Sequence, residues 1–202
     1  MGLMDFYLCS NSIRELVLSL CKLSKQVFEI SLNSSLVTDE LSSLGADLKS
    51  YAIYSEKMNL ISNSLGTCSR EMLKHSTRVM ELSLEKTKFN TRIIKLREAE
   101  ALINQKVNKD VLEASIKNLE SKLQPLDTDA NDVIGMLDSD LRNFNFEIKK
   151  LWLLATNLKT HSEFDEIAYL HNIILKIETT LHKIDETTAN LNSQLAKLER
   201  NI

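Results

Sequence analysis

Apolar residues near the start of the chain recur at Ile13, Leu16, Leu20, Leu23, Val27 and Ile30, in alternating steps of three and four. That spacing holds one stripe of a helix against a partner helix, the seam of a coiled coil. After Asn33 the stripe weakens through Ser34, Val37, Leu41 and Leu44, and Gly45 interrupts it. Leu48, Tyr51, Ala52 and Met58 then restore it. A stripe that weakens, meets a glycine and resumes predicts two antiparallel helices with a hairpin tip near Gly45. The first helix is expected from a cap at Ser10 or Ser12 to about Leu44. The second is expected from about Asp47 to Leu123, where Pro125 ends it. Gly66, set among Ser62, Asn63, Ser64 and Ser69, is a weak point that packing is expected to carry through.

Further along, Val79, Leu82, Phe89, Ile93, Leu96, Ile103 and Val107 form a looser stripe, with Glu81, Glu85, Lys86, Lys88, Arg92 and Arg97 on its polar side. Gln124 to Asp129 reads as a turn. A third helix carries Ile134, Leu137, Leu141, Phe144, Ile148, Leu151, Ala155 and Leu158 as a heptad seam. Val133, Met136, Phe146, Trp152, Leu153 and Leu154 broaden its apolar face. So broad a face needs more than one partner, which predicts a bundle. Thr160 to Asp165 reads as a second turn with Ser162 as cap. The fourth helix runs Ile167, Leu170, Ile174, Ile177, Leu181, Ile184, Leu191, Leu195, Leu198 and Ile202, broken only at Thr188. The expected fold is all-α: an antiparallel coiled-coil hairpin over 1–123 continuing into an extended helical bundle over 124–202, as two units or one continuous domain. Because a lone seam stays partly wet, a homo-oligomer, most simply a dimer, is expected.

Composition supports the pattern. Glycine at 4, proline at 1 and aromatics at 5% of 202 residues leave little material for sheet or frequent turns. The net charge of −3 disfavours a broad nucleic-acid surface, so no nucleic acid is expected as a partner. Cys9, Cys21 and Cys68 are odd in number and lack a CxxC pair, which fits reduced thiols rather than a disulfide framework. The strongest apolar run, Leu151 to Ala155, is far shorter than the roughly 18 residues of a membrane span. No basic start precedes the apolar residues of the N-terminus, so a cytoplasmic protein is expected.

The stretch from Ile13 to Ser62 resembles the cytoplasmic signalling hairpin of bacterial chemoreceptors, the methyl-accepting chemotaxis proteins. Ile13, Glu15, Val17, Gln26, Leu32, Asn33, Gly45 and Ala52 match that family's pattern identically. Leu16, Leu20, Leu23, Ser24, Ile30, Ser31, Ser34, Ser35 and Leu36 are conservative partners. Where the family has its tip acid, arginine and glycine-glutamate, this chain has Val37, Glu40, Ser42 and Ser43, and Asp47 and Leu48 stand for its second glycine and following phenylalanine. The resemblance covers about a quarter of the chain. It implies a non-enzymatic coiled-coil signalling or scaffold protein that docks a partner through the tip flank at Gln26, Ile30, Asn33, Val37 and Glu40. It implies a coupling protein or a histidine kinase as that partner. The competing reading is a general helical adaptor or tether unrelated to chemotaxis.

Candidate chemistry is sparse. The glycines at 2, 45, 66 and 135 are isolated, so no phosphate-cradling loop is present, and no nucleophile–base signature occurs. Catalysis, cofactors and resident metals are not expected. Asp127, Asp129, Asn131 and Asp138 echo a calcium loop, but Asp132 occupies the position where its sharp turn needs glycine. Helix-capping acids explain them better. His171, Glu178, His182 and Asp185 share one flank of the fourth helix and read as a polar edge beside its seam rather than as metal ligands. His75 lacks the rest of a phosphotransfer motif. Arg92, Lys95 and Arg97 form a local basic patch, read as a solvated face neutralised by Glu98 and Glu100.

Overall fold

A computed structural model describes residues 3–43, 49–102, 106–165 and 168–200. Among them the chain forms helices α1 (Leu3–Ser43), α2 (Lys49–Leu102), α3 (Lys106–Glu120), α4 (Leu123–Asp165) and α5 (Ala168–Glu199), with no strand. The fold is all-α, as the pattern predicts. At about 1.5 Å per residue α1 is roughly 60 Å long, which sets the length of the four-helix part.

Each long helix buries a heptad seam. On α1 the fully or nearly buried positions are Phe6, Ser10, Ile13, Val17, Leu20, Ser24, Val27, Ser31, Ser34 and Thr38. On α2 they are Tyr51, Ser55, Met58, Ser62, Leu65, Ser69, Met72, Ser76 and Val79; on α4, Ala130 through Leu158 at the predicted positions. On α5, Ile174, Ile177, Leu181, Ile184, Thr188, Leu191, Leu195 and Leu198 are buried. These residues form one continuous apolar cluster drawn from α1, α2, α4 and α5. In ring order α1 packs on α2, α2 on α4, α4 on α5, and α5 back on α1.

Cross-helix contacts fix the direction of every pair. Ser34 meets Ser55 at 2.7 Å and Ser31 meets Ser62 at 3.1 Å, so α1 and α2 are antiparallel. His75 meets Asp140 and Lys86 meets Asp127 between α2 and α4. Trp152 meets Asp185 and Lys159 meets Glu178 between α4 and α5, and Cys9 meets Gln194 between α1 and α5. All neighbours are therefore antiparallel, and α5's seam is covered by α1 and α4 of the same chain. That cover removes the wet seam from which a dimer was expected.

The core is lopsided. One heptad position of α2 is serine at 55, 62, 69, 76 and 83, all buried. On α1 the matching seam carries Ser24, Ser31, Ser34 and Thr38. Across the core, α4 and α5 present Leu137, Leu141, Phe144, Leu151, Ile177, Leu181 and Ile184. Small residues let α1 and α2 run closest together, while bulky ones keep α4 and α5 further apart. Several hydroxyls are satisfied within their own helix: Ser24 donates to the Leu20 carbonyl and Ser62 to that of Met58, each at 2.8 Å, while Ser34 and Ser55 bond to each other across the pair. A buried serine so bonded acts as a slightly larger alanine.

Several boundaries differ from expectation. The first helix begins at Leu3, not at a cap at Ser10 or Ser12; Ser10 is buried mid-helix and donates to the Phe6 carbonyl at 2.8 Å. Burial of Phe6 and Cys9 extends the stripe upstream and outweighs the capping tendency of serine. Continuity from Asp47 to Leu123 also fails: α2 ends at Leu102 and α3 returns antiparallel beside it, with Arg97 bonded to Glu120. Pro125 does not end a helix. It lies in the first turn of α4, where its missing N–H has no partner to lose. The actual joint is Ser121–Lys122, where N–H groups of both residues close the end of α3 on the Lys117 and Leu119 carbonyls. The turn read at Thr160–Asp165 is helical, and Ser162 lies inside α4. On α4, Met136, Phe146 and Leu153 remain exposed, so its broad apolar face is only partly covered. The Gly45 tip, with Leu44 and Leu48, lies outside the described residues, as do Ile103, Ile167 and Ile202.

The α2 helix passes through Gly66, as expected, and a Cβ built there or at Gly135 meets nothing within 4 Å. Gly66→Ala and Gly135→Ala are each expected to raise stability in urea unfolding by about 0.5–1 kcal/mol, the helical penalty of glycine. The lopsided core gives a sharper expectation. Ser62→Ala should change stability by less than about 1 kcal/mol, whereas Ser62→Leu should cost about 1–3 kcal/mol by overpacking the α1–α2 contact. Equal losses in both variants would show that the hydroxyl, not the small size, is what the position requires.

Candidate functional site

The flank of α1 that carries the predicted docking residues is set by the heptad. With the seam at Val27, Ser31, Ser34 and Thr38, the positions Gln26, Ile30, Asn33, Val37 and Glu40 fall in steps of four and three along one edge. That edge faces α5, as the contact of Cys9 with Gln194 establishes further down the same pair. Ile30 and Val37 are half-buried, while Gln26, Asn33 and Glu40 are exposed. A cleft of about 430 Å³ opens here, lined on α1 by Gln26, Glu29, Ile30 and Asn33. On α5 it is lined by Leu175, Lys176, Thr179, Thr180 and Lys183. Three of the five predicted residues thus come together in one cleft; Val37 and Glu40 continue the edge beyond it.

The lining has a simple chemical character. Ile30 supplies an apolar floor with Leu175, whose side chain is 54% exposed. Gln26 and Asn33 offer amides that donate and accept, and Lys176 and Lys183 offer two cations on the opposite wall. Glu29 is within 3.6 Å of Lys25 on its own helix. Thr180 and Thr179 turn their hydroxyls back to the carbonyls of Lys176 and Leu175, each at 2.8 Å, so their methyl faces rather than their oxygens are free. The arrangement suits a peptide or a helix edge, held by a few hydrogen bonds over a small apolar contact. The α5 half was not picked out from the sequence. Its residues form an ordinary polar flank there, and only the ring order of the helices brings them beside α1.

The other candidates are absorbed by packing. Asp127 to Asn131 are helical, so alternate residues point to opposite sides of α4 and cannot converge as a calcium loop does. Asp127 pairs with Lys86, and Asp138 with Arg142. On α5 Glu178 pairs with Lys159, Asp185 accepts the indole N–H of Trp152 at 2.9 Å, and the His182 ring packs edge-on against Trp152. His171 is exposed. These residues form a polar belt along the α4–α5 contact. His75 Nδ1 lies 2.7 Å from Asp140 Oδ2, with both side chains about four-fifths covered, and ties α2 to α4. Arg97 is held by Glu120 rather than by Glu98 or Glu100. No described helix is long and apolar enough to cross a membrane.

All three thiols are free, and burial pushes each above its ordinary value of 9.0. At Cys68 the Glu147 and Asp140 carboxylates add to that shift, while at Cys21 a hydrogen bond with Ser69 opposes it. Comparison with known protein families, curated proteins and solved structures returned no match.

The shifted thiols make a test of the packing. Since the thiolate is the reactive form, the folded chain should be alkylated much more slowly at pH 7.5 than the urea-unfolded chain. The difference should narrow only well above pH 9. The folded state holds these protons more tightly than the unfolded one, so the thiols contribute stability that is intact below about 9 and is lost as pH rises through the folded values. Equal rates for folded and unfolded chains at pH 7.5 would mean that the thiols are open to solvent. A second test concerns the α2–α4 tie. His75→Leu is expected to cost about 1–2 kcal/mol by leaving the Asp140 carboxylate without its partner, and Asp140→Asn, which keeps a hydrogen bond, roughly half as much.

Proposed function

We propose that this protein is a non-enzymatic helical scaffold that docks a partner protein along the α1–α5 flank. The observation that carries the reading is the meeting of Gln26, Ile30 and Asn33 with Leu175, Lys176 and Lys183 in one cleft. His75, Asp127, Glu178 and Asp185 are each engaged between helices, whereas this edge offers amides, cations and an exposed leucine together. The four-helix core makes the surface rigid, and a rigid surface loses little entropy on docking.

A narrower version of the reading identifies the partner as a coupling protein or histidine kinase, as the resemblance to the chemoreceptor hairpin implies. What favours it is that Gln26 and Asn33, both identical to the family pattern, lie in the cleft with Ile30. Glu40, where the family carries the opposite charge, lies on the continuation of that edge and should shift partner preference more than fold. The general adaptor differs only in partner identity, and a homo-oligomer would be a case in which a second copy fills the flank.

Photocrosslinkers at Gln26, Asn33 and Lys183, with Lys74 on a remote face as control, separate these readings when the full chain is mixed with a purified coupling protein. Crosslinks at the three flank positions but not at Lys74, weakened at least about tenfold by Leu175→Asp, support flank docking. Crosslinks only between copies of the chain would replace the heterologous partner with a homo-oligomer. Labelling spread equally over all four positions would remove the flank from the mechanism.

A further inference from the structure

The bundle stops before α2 does. The Phe6 ring lies under the Lys86 ammonium at 5.2 Å, and Cys9 meets Gln194, so α1 and α5 both end near the level of Lys86. Asp127, in the first turns of α4, also pairs with Lys86. Beyond that level, among the described residues, α2 continues to Leu102 with α3 and, at first, the opening turn of α4 beside it. Ile93 and Ile116 are the buried pair of this projection, and neither belongs to the main core. Two helices cannot cover each other's apolar faces: Ile94 is 50% exposed, Val111 62% and Leu102 83%.

A groove of about 420 Å³ runs between the two helices. Leu96 and Leu119 form its floor, Arg92 and Lys95 one rim, and Ser115 and Asn118 the other. No acidic residue lines it. Lys88 continues the basic rim one turn before Arg92, and among the described residues Lys88, Arg92 and Lys95 are in no ion pair. Arg92 and Lys95 are exposed, as a solvated face requires, while Arg97 is drawn off to Glu120 and Arg92 and Lys95 line the groove.

From this we infer that the α2–α3 projection is a second docking site, which takes an acidic amphipathic helix. Such a helix lays apolar residues on Leu96 and Leu119 and sets its carboxylates against Arg92, Lys95 and Lys88. The complementarity argues for that occupant over others. A nucleic acid gains nothing from the apolar floor formed by Leu96 and Leu119. A second copy laid groove to groove would bring the same cations against these. The groove is on the order of 45 Å along the rod from the α1–α5 cleft, so the two surfaces can act at once or fail separately.

The test uses the full chain and a fluorescent synthetic peptide of four turns, with leucine at i, i+4, i+7 and i+11 and glutamate on the flanks. Controls carry lysine for glutamate, or serine for leucine. Anisotropy at low salt should show binding of the acidic peptide, weakening with added salt, and little binding of either control. Arg92→Glu with Lys95→Glu should weaken it about tenfold or more and transfer preference to the lysine peptide. These positions are exposed, so unchanged helicity and melting will show that the fold is intact. Leu96→Ser should weaken binding without reversing the charge preference. Equal binding of acidic and basic peptides, no binding, stronger binding of a duplex oligonucleotide, or concentration-dependent self-association abolished by the charge reversal would each overturn the inference. Flank crosslinking at Gln26 and Asn33 is untouched by these variants, so failure here leaves the first surface standing.

Discussion

The close approach of α1 and α2 governs the rest of the structure. It depends on a buried row of small side chains: serine at five successive heptad positions of α2, faced by Ser24, Ser31, Ser34 and Thr38 on α1. The other buried row of the same two helices is bulky, with Ile13 and Leu20 on α1 and Met58, Leu65 and Met72 on α2, and it meets the leucines, isoleucines and Phe144 of α4 and α5 in one core. Neither hairpin is complete alone. The apolar row of each pair stays open to water until the other pair covers it. This mutual dependence makes one cluster of four helices from two hairpins, and it accounts for closure within a single chain.

Polar residues keep the four helices in register. Ser31 and Asn59 bond between α1 and α2, His75 and Asp140 between α2 and α4, and Trp152 and Asp185 between α4 and α5. Each lies beside a seam, and each would lose its partner if a helix slid by one turn. Apolar heptads alone tolerate such slips, because leucine replaces leucine. The serine rows could likewise slip by a heptad without a clash. The flanking polar contacts remove that degeneracy, and a defined register is what keeps Gln26 and Asn33 opposite Lys176 and Lys183.

The two proposed docking surfaces arise from different defects of the same packing. Along α1 and α5 the bundle is closed, but the edge beside the seam is polar and shallow, so only a cleft remains. At the far end the bundle loses α1, α5 and α4 in turn, and the remaining pair leaves apolar groups half covered. The first surface offers amides and lysines over Ile30 and Leu175; the second offers exposed cations over Leu96 and Leu119. A scaffold with chemically distinct surfaces about 45 Å apart can hold two partners without competition between them.

The seams were readable from the sequence because a heptad is a local property: Ile13, Leu20, Val27, Leu137, Phe144 and Leu181 are buried where the spacing places them. The all-α class and the passage of helix through Gly66 follow from the same periodicity. The edge carrying Gln26, Ile30 and Asn33 was also legible, since it is one flank of one helix. The breaks were not. Pro125 and the Ser162 region look like terminators but sit inside a helix, and the reversal after Leu102 falls in a stretch without glycine or proline. Propensities of about 1 kcal/mol are overruled by the burial of several apolar side chains, so helix ends follow where the core ends. Which flanks meet is likewise non-local. Only the ring order α1, α2, α4, α5 puts Lys176 and Lys183 beside Asn33, hands Arg97 to Glu120, and leaves Arg92 and Lys95 lining an open groove.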